Sequence, residues 1–389
     1  MPKPKIIIVG GGFGGLFTAL QLDQLPWRTT PEITLVDKGD RFLFTPLLYE
    51  LVTAEMAVWE IAPYFSELLE DTGVSFQQGL VTGIDLKERT VQVETALAVA
   101  KLDYDVLVLA LGNTVSPSPS DLTLSFRSLK DAQHLCQQLS ELEAEQREKI
   151  RVCVAGGGAS GVELACKISD RLKERGRVRI IERNRTLLKN SPPANRRAGE
   201  QALRQRGVWL DLNTKVIGVE EGQILLDYGN SLESLPVDLV LWTAGSRPLS
   251  LVQDLIAQFK LSHTPSGSLA IAPTLQLLEY PQVFALGDTA NFPDNSLPAT
   301  AQVAYQQAGY CARNIWAYLN QAQLQPFVYV PLGEFLSLGV GQSSMSTPFL
   351  PFGMSGHLPN LVRRLVYLGR MPTLKHQWQV ALHWLSGML

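Results

Sequence analysis

The chain of 389 residues contains few cysteines. Cys136, Cys153, Cys166 and Cys311 are the only four, and no two of them form a C-x-x-C or C-x-x-x-x-C pair. Zinc sites and local redox disulfides are built from such closely spaced pairs. The sequence therefore predicts no metal site, no dithiol-dependent chemistry and a reducing compartment.

A long apolar run and a strong net charge are also missing. No stretch reaches the ~18 apolar residues of a spanning helix, and a net charge of −3 gives no case for nucleic-acid binding. We expect no signal peptide, because a strand begins at once and glycines interrupt it. The apolar fraction of 46% predicts a globular protein of two or three domains that is soluble or attached to a membrane face.

Acidic residues disappear from the end of the chain. After Glu334 the sequence carries Arg363, Arg364, Arg370 and Lys375 with no acidic residue among them. An apolar helical face is predicted there for Leu374, Trp378, Ala381, Leu382 and Leu385, with Lys375, His376, Gln379 and His383 largely elsewhere. This pattern favours a helix that lies in a bilayer interface and is attracted to anionic lipid. The alternative is a helix that packs on the body of the protein or on a second copy.

The first 37 residues hold a strand, a glycine-rich turn, a helix and a second strand. The apolar run 6–9 leads into Gly10, Gly12 and Gly15 in G-x-G-x-x-G spacing, and the run 33–36 ends in Asp37. In this pattern the glycines allow a tight turn, the close approach of a pyrophosphate and helix-strand packing, and the acid binds a ribose. The order of all these parts predicts a dinucleotide site.

The same pattern returns in the middle of the chain. Strand 150–154 leads into Gly156, Gly158 and Gly161, and strand 178–182 ends in Glu182. Two fingerprints predict two nucleotide-binding folds. The apolar runs 104–112 and 238–245, each ending in glycine, are predicted to be their return strands. Between the fingerprints, 73–76, 83–87 and 90–94 are predicted to form an antiparallel meander, and 126–149 a helix.

A further strand, 282–288, ends in Gly287 and Asp288 and precedes a long predicted helix, 297–316. An aspartate at the carboxyl end of a strand is suited to bind polyol hydroxyls, and the alternative is a turn or cap residue. The aromatic segment 41–60 is predicted either to wall a flat cofactor or to cover the core as a loop and helix.

Taken together, these segments resemble the two-dinucleotide-binding-domain flavoproteins and, within them, the type II NAD(P)H:quinone oxidoreductases. The motifs that carry the resemblance are 10–15, 44–50, 156–165, 284–288 and the Ala-Gln-x-Ala-x-Gln pattern at 301–306. Segment 48–63 is similar to the cyanobacterial and plastid branch, which is associated with demethylphylloquinone reduction in vitamin K1 synthesis and with plastoquinone. Asp37, where the family more often has Glu, and Tyr305 within the quinone motif depart from the pattern.

The resemblance implies an α/β fold with two Rossmann-like domains, the second inserted in the first. We expect FAD in 1–120 and 265–330, NAD(P)H as substrate in 121–264, and membrane attachment through 331–389. It also implies a peripheral protein on the cytoplasmic or stromal face, with a homodimer as a further expectation. The residues expected to bind FAD are Gly10, Gly12, Phe13, Gly14, Gly15, Asp37, Lys38, Thr45, Pro46, Leu47, Ala110, Gly112, Gly287, Asp288, Ala301 and Gln302. Those expected to bind NAD(P)H are Gly156, Gly158, Gly161, Glu182, Arg183, Ala244 and Gly245.

Three side chains are expected to act in the reaction. Glu163 is predicted on the first turn of the second motif's helix and, by family analogy, is aimed at the flavin-nicotinamide contact. The alternative is a helix N-terminal carboxylate that is favoured by the helix dipole. Gln302 and Gln306 share a helical face and are expected to donate hydrogen bonds to quinone carbonyls, or else to be ordinary polar surface. Glu182 favours a free 2′-hydroxyl, whereas Arg183 and Arg185 suit a 2′-phosphate, so both NADH and NADPH are expected to bind.

Two other functions fit parts of the pattern. A sulfide:quinone oxidoreductase shares the architecture, but it needs cysteines beside the flavin, and none of the four has the expected setting. A flavin-bearing redox sensor without enzymatic activity needs only one nucleotide site, whereas this chain has two fingerprints. We therefore expect an enzyme that passes two electrons from NAD(P)H to a membrane quinone without pumping protons.

Overall fold

The structure is a computed structural model that describes residues 2–386. Met1 and residues 387–389, the last three of the predicted membrane-attachment region, lie outside the described residues. The first glycine-rich turn belongs to a parallel five-stranded sheet. Its strands, in spatial order, are Val283–Ala285, Val106–Leu109, Lys5–Val9, Glu32–Asp37 and Val74–Gln78. Because the strands are parallel, the turns that follow them meet at one edge of the sheet.

The second glycine-rich turn belongs to a second parallel five-stranded sheet. Its strands, in spatial order, are Trp209–Leu212, Gly176–Glu182, Ile150–Ala155, Leu239–Trp242 and Leu124–Ser125. The short antiparallel pair Asn113–Val115 and Ser246–Pro248 links the chain segments that leave and re-enter the first sheet. The predicted α/β fold with two Rossmann-like sheets is confirmed, and the exact domain boundaries stay a prediction.

The predicted meander is wrong in its first strand. Val74–Gln78 pairs in parallel with Glu32–Asp37 and completes the first sheet. The antiparallel meander consists of Leu80–Asp85, Thr90–Glu94 and Val99–Asp103. A short apolar run predicts a strand but not the strand with which it pairs. Val99–Asp103 was not predicted because its side chains are largely exposed and form no apolar run.

The remaining sheets are small, with two or three strands each. Strands Lys215–Glu220, Gln223–Asp227 and Leu232–Pro236 form an antiparallel meander beside the second sheet, and Leu269–Ala270 pairs with Ala290–Asn291. Strands Glu334–Ser337, Ser343–Ser346 and Met354–Gly356 form an antiparallel sheet in the C-terminal region.

Ten α-helices and three short 3-10 helices are present in residues 2–386. The α-helices are Phe13–Asp23, Val58–Ile61, Phe65–Leu68, Leu129–Ala144, Ala159–Leu172, Pro193–Gln205, Ser250–Phe259, Ala301–Leu319, His357–Leu368 and Leu374–Ser386. The 3-10 helices are Thr45–Leu51, Lys173–Arg175 and Gly287–Thr289. Across these residues, no helix combines the length and the apolar character needed to cross a bilayer.

Helix Phe13–Asp23, which follows the first turn, is largely buried in the core. Its buried residues are mostly apolar, and it packs against the long helix Ala301–Leu319, which starts at the cap residue Thr300. Fully buried Ile6 and Ile8 on one side and Ile150 and Val154 on the other belong to one continuous apolar core. Both sheets therefore pack on the same apolar core, and this packing holds the carboxyl edges of their strands in place.

Candidate active site

The first glycine-rich turn is closed on its inner side and open on its outer side. Gly10 has φ +102°, and a Cβ there would lie 2.3 Å from the carbonyl oxygen of Ala110. A Cβ at Gly15 would lie 1.8 Å from the carbonyl oxygen of Gly10, whereas a Cβ at Gly12 would meet nothing within 4 Å. The backbone of this turn therefore faces open space at a helix N-terminus, where an anion binds well.

Asp37 holds this turn from the neighbouring strand. The Gly11 N–H donates to its Oδ2 at 2.6 Å and the Gly39 N–H donates to its Oδ1 at 2.8 Å. Burial raises the pKa of Asp37, and the two N–H donors oppose that rise. The carboxylate is thus built into the turn at the carboxyl edge of the sheet.

The second turn repeats this geometry. Gly156 has φ +116°, a Cβ at Gly161 would lie 1.9 Å from the Gly156 carbonyl oxygen, and Gly158 is open. The Gly157 N–H donates to Oε2 of Glu182 at 2.6 Å. Oε1 of Glu182 accepts from the backbone N–H of Asn184 at 2.8 Å and also from its side-chain amide. Arg183 and Arg185 are exposed on either side of Asn184.

A third group of residues meets the first turn at the same edge. The Gly112 N–H donates to Oγ1 of Thr289 at 2.8 Å, and the Gly287 N–H donates to Oε1 of Gln307 at 2.7 Å. These bonds join the ends of two strands to each other and to the long helix Ala301–Leu319, beside a cavity of about 270 Å³ whose lining includes Gly287 and Asp288. Burial raises the pKa of Asp288.

The other residues predicted for the first site fall into two groups. Phe13 packs edge-on against Phe42 and Phe44, and Gly14 lies against Leu286, all beside the first turn. The second group lies on neighbouring elements. Ala110 directly follows the return strand Val106–Leu109, and Lys38 follows Asp37. Thr45, Pro46 and Leu47 begin a 3-10 helix, and Ala301 and Gln302 begin the long helix. In the second sheet Ala244 and Gly245, the latter with φ +74°, follow the return strand.

Glu163 is buried at the junction of the two sheets and the C-terminal region. It is the fifth residue of helix Ala159–Leu172, so its predicted place on the first helical turn is wrong. Its Oε1 accepts the backbone N–H of Ser337 at 2.8 Å. Burial raises the pKa of Glu163 to about 8. The side chain is therefore able to hold or release a proton near neutral pH.

Gln302 and Gln306 clamp an extended segment of the C-terminal region, residues 329–333. Gln306 pairs with Val330, donating to its carbonyl at 2.8 Å and accepting its N–H at 3.0 Å. Gln302 donates to the Gly333 carbonyl at 3.1 Å and accepts from the Tyr329 hydroxyl at 2.8 Å. Both amides already have protein partners. The prediction that they donate directly to a quinone stays untested. In the structure, their role is to hold segment 329–333.

The four cysteines are free thiols in unreactive settings. Burial raises the pKa of Cys153 and of Cys166 to about 12, and it also raises the pKa of Cys136 and Cys311. Thiolates are the reactive form of cysteine, and burial suppresses them. The geometry therefore gives no support to cysteine chemistry of the sulfide:quinone type.

Comparison with known proteins decides the family. Residues 4–308 match the family model for pyridine nucleotide-disulphide oxidoreductases. The chain is 47% identical to demethylphylloquinone reductase NdbB of Synechocystis sp., covering 100% of this chain and 97% of that one. It is 37% identical to the alternative NAD(P)H-ubiquinone oxidoreductase C1 of Arabidopsis thaliana, covering 99% of this chain and 81% of the other.

The chain belongs to the type II NAD(P)H:quinone oxidoreductases. The predicted family and its oxidoreductase activity are confirmed. The structure of NDH2 from Plasmodium falciparum in complex with NADH superposes with a TM-score of 0.85 and 18% identity, covering 97% of this chain and 96% of that one, which shows the same fold. FAD and NAD(P)H are the cofactor and the electron donor of this type II oxidoreductase, as predicted.

The residues at the first turn fit FAD. A pyrophosphate needs a backbone without Cβ atoms in front of it, and Gly12 provides open space there. Gly112 likewise has open space in front of a left-handed backbone at the same edge. The second turn offers the same opening at Gly158, which suits the pyrophosphate of NAD(P)H.

In this type II oxidoreductase, Glu163 is surrounded by charged residues that were not predicted from the sequence. Glu50 and Arg363 are fully buried and paired, and Lys167 is buried against Glu50 and Glu55. Two signals were present: Glu50 ends the aromatic motif 44–50, and Lys167 lies one helical turn after Glu163. Their partners lie more than 100 residues away in the chain, so only the fold reveals the cluster.

Proposed function

We propose that the protein reduces a membrane naphthoquinone of the demethylphylloquinone type, with plastoquinone as the alternative acceptor. The observation that carries this proposal is the full-length likeness to demethylphylloquinone reductase NdbB, in a chain whose two glycine-rich turns have the same open geometry. When bound, FAD would supply the two-electron redox chemistry that connects NAD(P)H to the quinone.

The chain holds the two nucleotides through two matched turns. The N–H groups around Gly12 and Gly158 would bind the two pyrophosphates at helix N-termini. Asp37 in the first turn and Glu182 in the second would each have two roles. The carboxylate would fix the shape of its turn and would also bind a ribose. Asp288 lies on the cavity beside the first turn and would bind hydroxyls of the flavin side chain.

On the nicotinamide side, Glu163 would orient the carboxamide or hold a proton. Its carboxyl is fixed by the Ser337 N–H and lies on the helix that the second turn begins. Because burial favours the protonated form, Glu163 would donate a hydrogen bond without placing a negative charge beside the site. We further propose that NADH and NADPH both bind, with Arg183 and Arg185 pairing with the 2′-phosphate.

On the quinone side, Gln302 and Gln306 would shape the site by holding segment 329–333 in place. Tyr305, between them, packs edge-on against Phe17 with ring centroids 4.7 Å apart and carries Arg370 4.5 Å above its ring. An apolar aromatic wall with one cation suits a ring whose carbonyls gain charge during reduction. A direct hydrogen bond from either glutamine to the quinone would require it to exchange a partner in segment 329–333.

The purified chain tests this function directly. We expect it to bind FAD, to lose flavin absorbance on anaerobic mixing with NADH or NADPH, and to regain it when a quinone is added. Steady-state rates with methylated and unmethylated naphthoquinones and with benzoquinones then rank the acceptors. A chain that stays colourless and takes up no FAD overturns the function, and a benzoquinone preference overturns the naphthoquinone assignment.

We also propose that the C-terminal helices attach the protein to a membrane surface. The outer face of helix Leu374–Ser386 is apolar and exposed, with Trp378 67% and Leu382 61% accessible. Its inner face packs on the body of the protein: Val380 is fully buried in the core, His376 is buried, and Nε1 of Trp384 donates to Glu60 at 2.7 Å. Helix His357–Leu368 adds exposed Leu358, Leu361 and Leu365. An apolar face that remains exposed after the helix has packed on the protein suits a helix lying in the interface.

The charge part of the membrane prediction needs correction. Three of the four cations have acidic partners from the N-terminal half: Arg363 pairs with Glu50, Arg364 lies 3.8 Å from Glu55 and Lys375 lies 2.8 Å from Glu70. Attraction to anionic lipid is therefore weaker than the sequence indicated. Apolar contact is proposed to supply most of the membrane affinity, and the cytoplasmic or stromal face stays a prediction.

Vesicle sedimentation separates these contributions. We expect the chain to sediment with phosphatidylcholine vesicles, and added phosphatidylglycerol to increase the bound fraction only modestly. The double variant Trp378→Ser/Leu382→Ser should lose at least tenfold in partitioning, because about 2–3 kcal/mol of apolar burial is lost for each side chain. The matched control Leu97→Ser, at a 97% exposed residue of the first meander, should change nothing. Normal sedimentation of the double variant, or a dimer that dissociates in it, would contradict membrane attachment.

A further inference from the structure

A cluster of buried charges connects three parts of the chain. Arg363 of helix His357–Leu368 donates to Oε1 of Glu50, which belongs to the 3-10 helix Thr45–Leu51. Lys167 of the second turn's helix donates to Oε2 of Glu50 and to Glu55. The side chains of Glu50 and Lys167 are inaccessible, and Arg363 is 1% exposed. Burying charges is expensive unless they are paired, so this cluster forms only when all three parts are assembled.

The cluster is adjacent to Glu163. Lys167 lies four residues after Glu163 and so on the same side of the helix. The hydroxyl of Ser337 lies 3.4 Å from Oε1 of Glu50, while the N–H of the same residue binds Glu163. The charged and titratable groups of the surrounding elements that interact electrostatically with Glu163 are Tyr49, Glu50, Glu334, Arg363 and Tyr367.

The positive charge of Arg363 is only partly neutralised locally. Its Nη2 binds Glu50 and lies 3.2 Å from Oδ1 of Asn360, but Nε and Nη1 are buried without a hydrogen-bond partner in residues 2–386. Burial acts to raise the pKa of Glu50, yet Arg363 and Lys167 outweigh it and hold that pKa below its ordinary value. Glu50 is therefore charged, and Ser337 bridges it to Glu163. The cation Arg363 and the anion Glu50 have opposite effects on the charge of Glu163.

We propose that Glu50 and Arg363, anchored by Lys167, form a positioning cluster that sets whether Glu163 is charged. Arg363 stabilises the carboxylate form of Glu163, and Glu50 stabilises the carboxylic acid form. Because Arg363 and Ser337 both follow Glu334 in the chain, the C-terminal region contributes to the active site as well as to the proposed membrane surface. This inference rests on the proposed function only for the role of Glu163.

Opposite shifts in two variants distinguish this role from a structural one. In the FAD-loaded chain, the carboxyl stretching band of Glu163 is followed by infrared spectroscopy against pH and is identified by its absence in Glu163→Gln. We expect Glu50→Gln to lower the midpoint by about one pH unit and Arg363→Met to raise it by about one, tenfold each way in the protonation constant. The double variant Glu50→Gln/Arg363→Met should lie between them.

The control is Lys375→Met, which removes a cation of the same C-terminal region from its exposed pair with Glu70 and should leave the midpoint unchanged. Shifts of both single variants in one direction, or shifts below a third of a pH unit, would overturn the proposal. If Arg363→Met does not fold, the comparison of Glu50→Gln with the double variant still reports the effect of Arg363. Flavin bleaching by NADH on the same samples tests the proposed function separately, because the titration needs no turnover.

Discussion

The two glycine-rich turns share one backbone but are followed by different helices. In each turn the first glycine has a positive φ, the last packs against the first, and a strand-end acid binds the second residue of the turn. After the first turn, helix Phe13–Asp23 buries mainly apolar side chains. After the second, helix Ala159–Leu172 brings Glu163 and Lys167 into a buried interface.

This difference shows which part of a dinucleotide fold is general and which part is specific. The turn needs only backbone groups and room for a pyrophosphate, so the same geometry is used twice. The helix that follows the turn determines which side chains lie near the bound nucleotide. A helix buried in apolar core provides rigidity, whereas a helix carrying paired charges provides a group whose proton can be controlled.

The largest expected effect comes from filling the closed side of each turn. Gly15→Ala and Gly161→Ala would each place a Cβ less than 2 Å from a carbonyl oxygen, so each turn must open. We expect Gly15→Ala to purify without FAD. Gly161→Ala should keep FAD but bind NADH at least 100-fold more weakly, a loss of about 2.7 kcal/mol.

The flavin-to-protein absorbance ratio and anaerobic titration with NADH measure these two losses. Gly218→Ala is the matched control, because its Cβ would meet only Leu225 at 3.8 Å. Loss of FAD in Gly161→Ala with retention in Gly15→Ala would reverse the assignment of the two sheets.

Breaking the buried cluster should have the next largest effect. Arg363→Met leaves Glu50 buried without its guanidinium partner, which costs about 3–5 kcal/mol and should lower the thermal midpoint by about 5 °C or more. Lys375→Met removes an exposed pair and should not change the midpoint measurably. The double variant Glu50→Gln/Arg363→Met should recover part of the loss. Equal midpoints for Arg363→Met and Lys375→Met would show that the buried pair contributes nothing.

An effect of similar size, but confined to higher pH, is expected in the pH dependence of stability. The pKa of Glu163 is raised by burial from 4.5 to about 8 on folding, so folding favours the protonated form. Stability from this group is complete below about pH 4.5 and is lost as pH rises through about 8. Glu163→Gln should match the wild type at pH 4.5 and have a higher thermal midpoint at pH 9.

Scanning calorimetry at both pH values measures this difference. Glu88→Gln, at an exposed residue, controls for loss of a surface charge. A Glu163→Gln midpoint that stays equal to the wild type at pH 9 would mean that Glu163 is not held in its protonated form.

The smallest effect concerns the choice of nucleotide at the second turn. Removing both exposed arginines, Arg183→Ala/Arg185→Ala, should weaken NADPH binding about tenfold, or about 1.4 kcal/mol, and leave NADH binding within about twofold. Fluorescence titration of each nucleotide measures the change. A wild-type preference above about a hundredfold for either nucleotide would refute dual use.

Much of the fold and of the two turns was predictable from the sequence. Glycine spacing, apolar runs and strand-end acids are local signals, and each determined a turn or a strand within a few residues. The pairing of Val74–Gln78 with the first sheet was not predictable, because a short apolar run carries no information about its partner. The partners of Arg363 and Lys375 were also hidden, since Glu50 and Glu70 come from the other end of the chain.

The two nucleotide turns, their order and the family are predictable from the amino-acid sequence, because each turn is a backbone conformation that only closely spaced glycines permit. In contrast, the neighbours of Glu163 and the hydrogen-bond partners of Gln302 and Gln306 depend on the tertiary structure. Those contacts join residues far apart in the chain, and their charges and amides acquire partners only when the two sheets and the C-terminal region pack together.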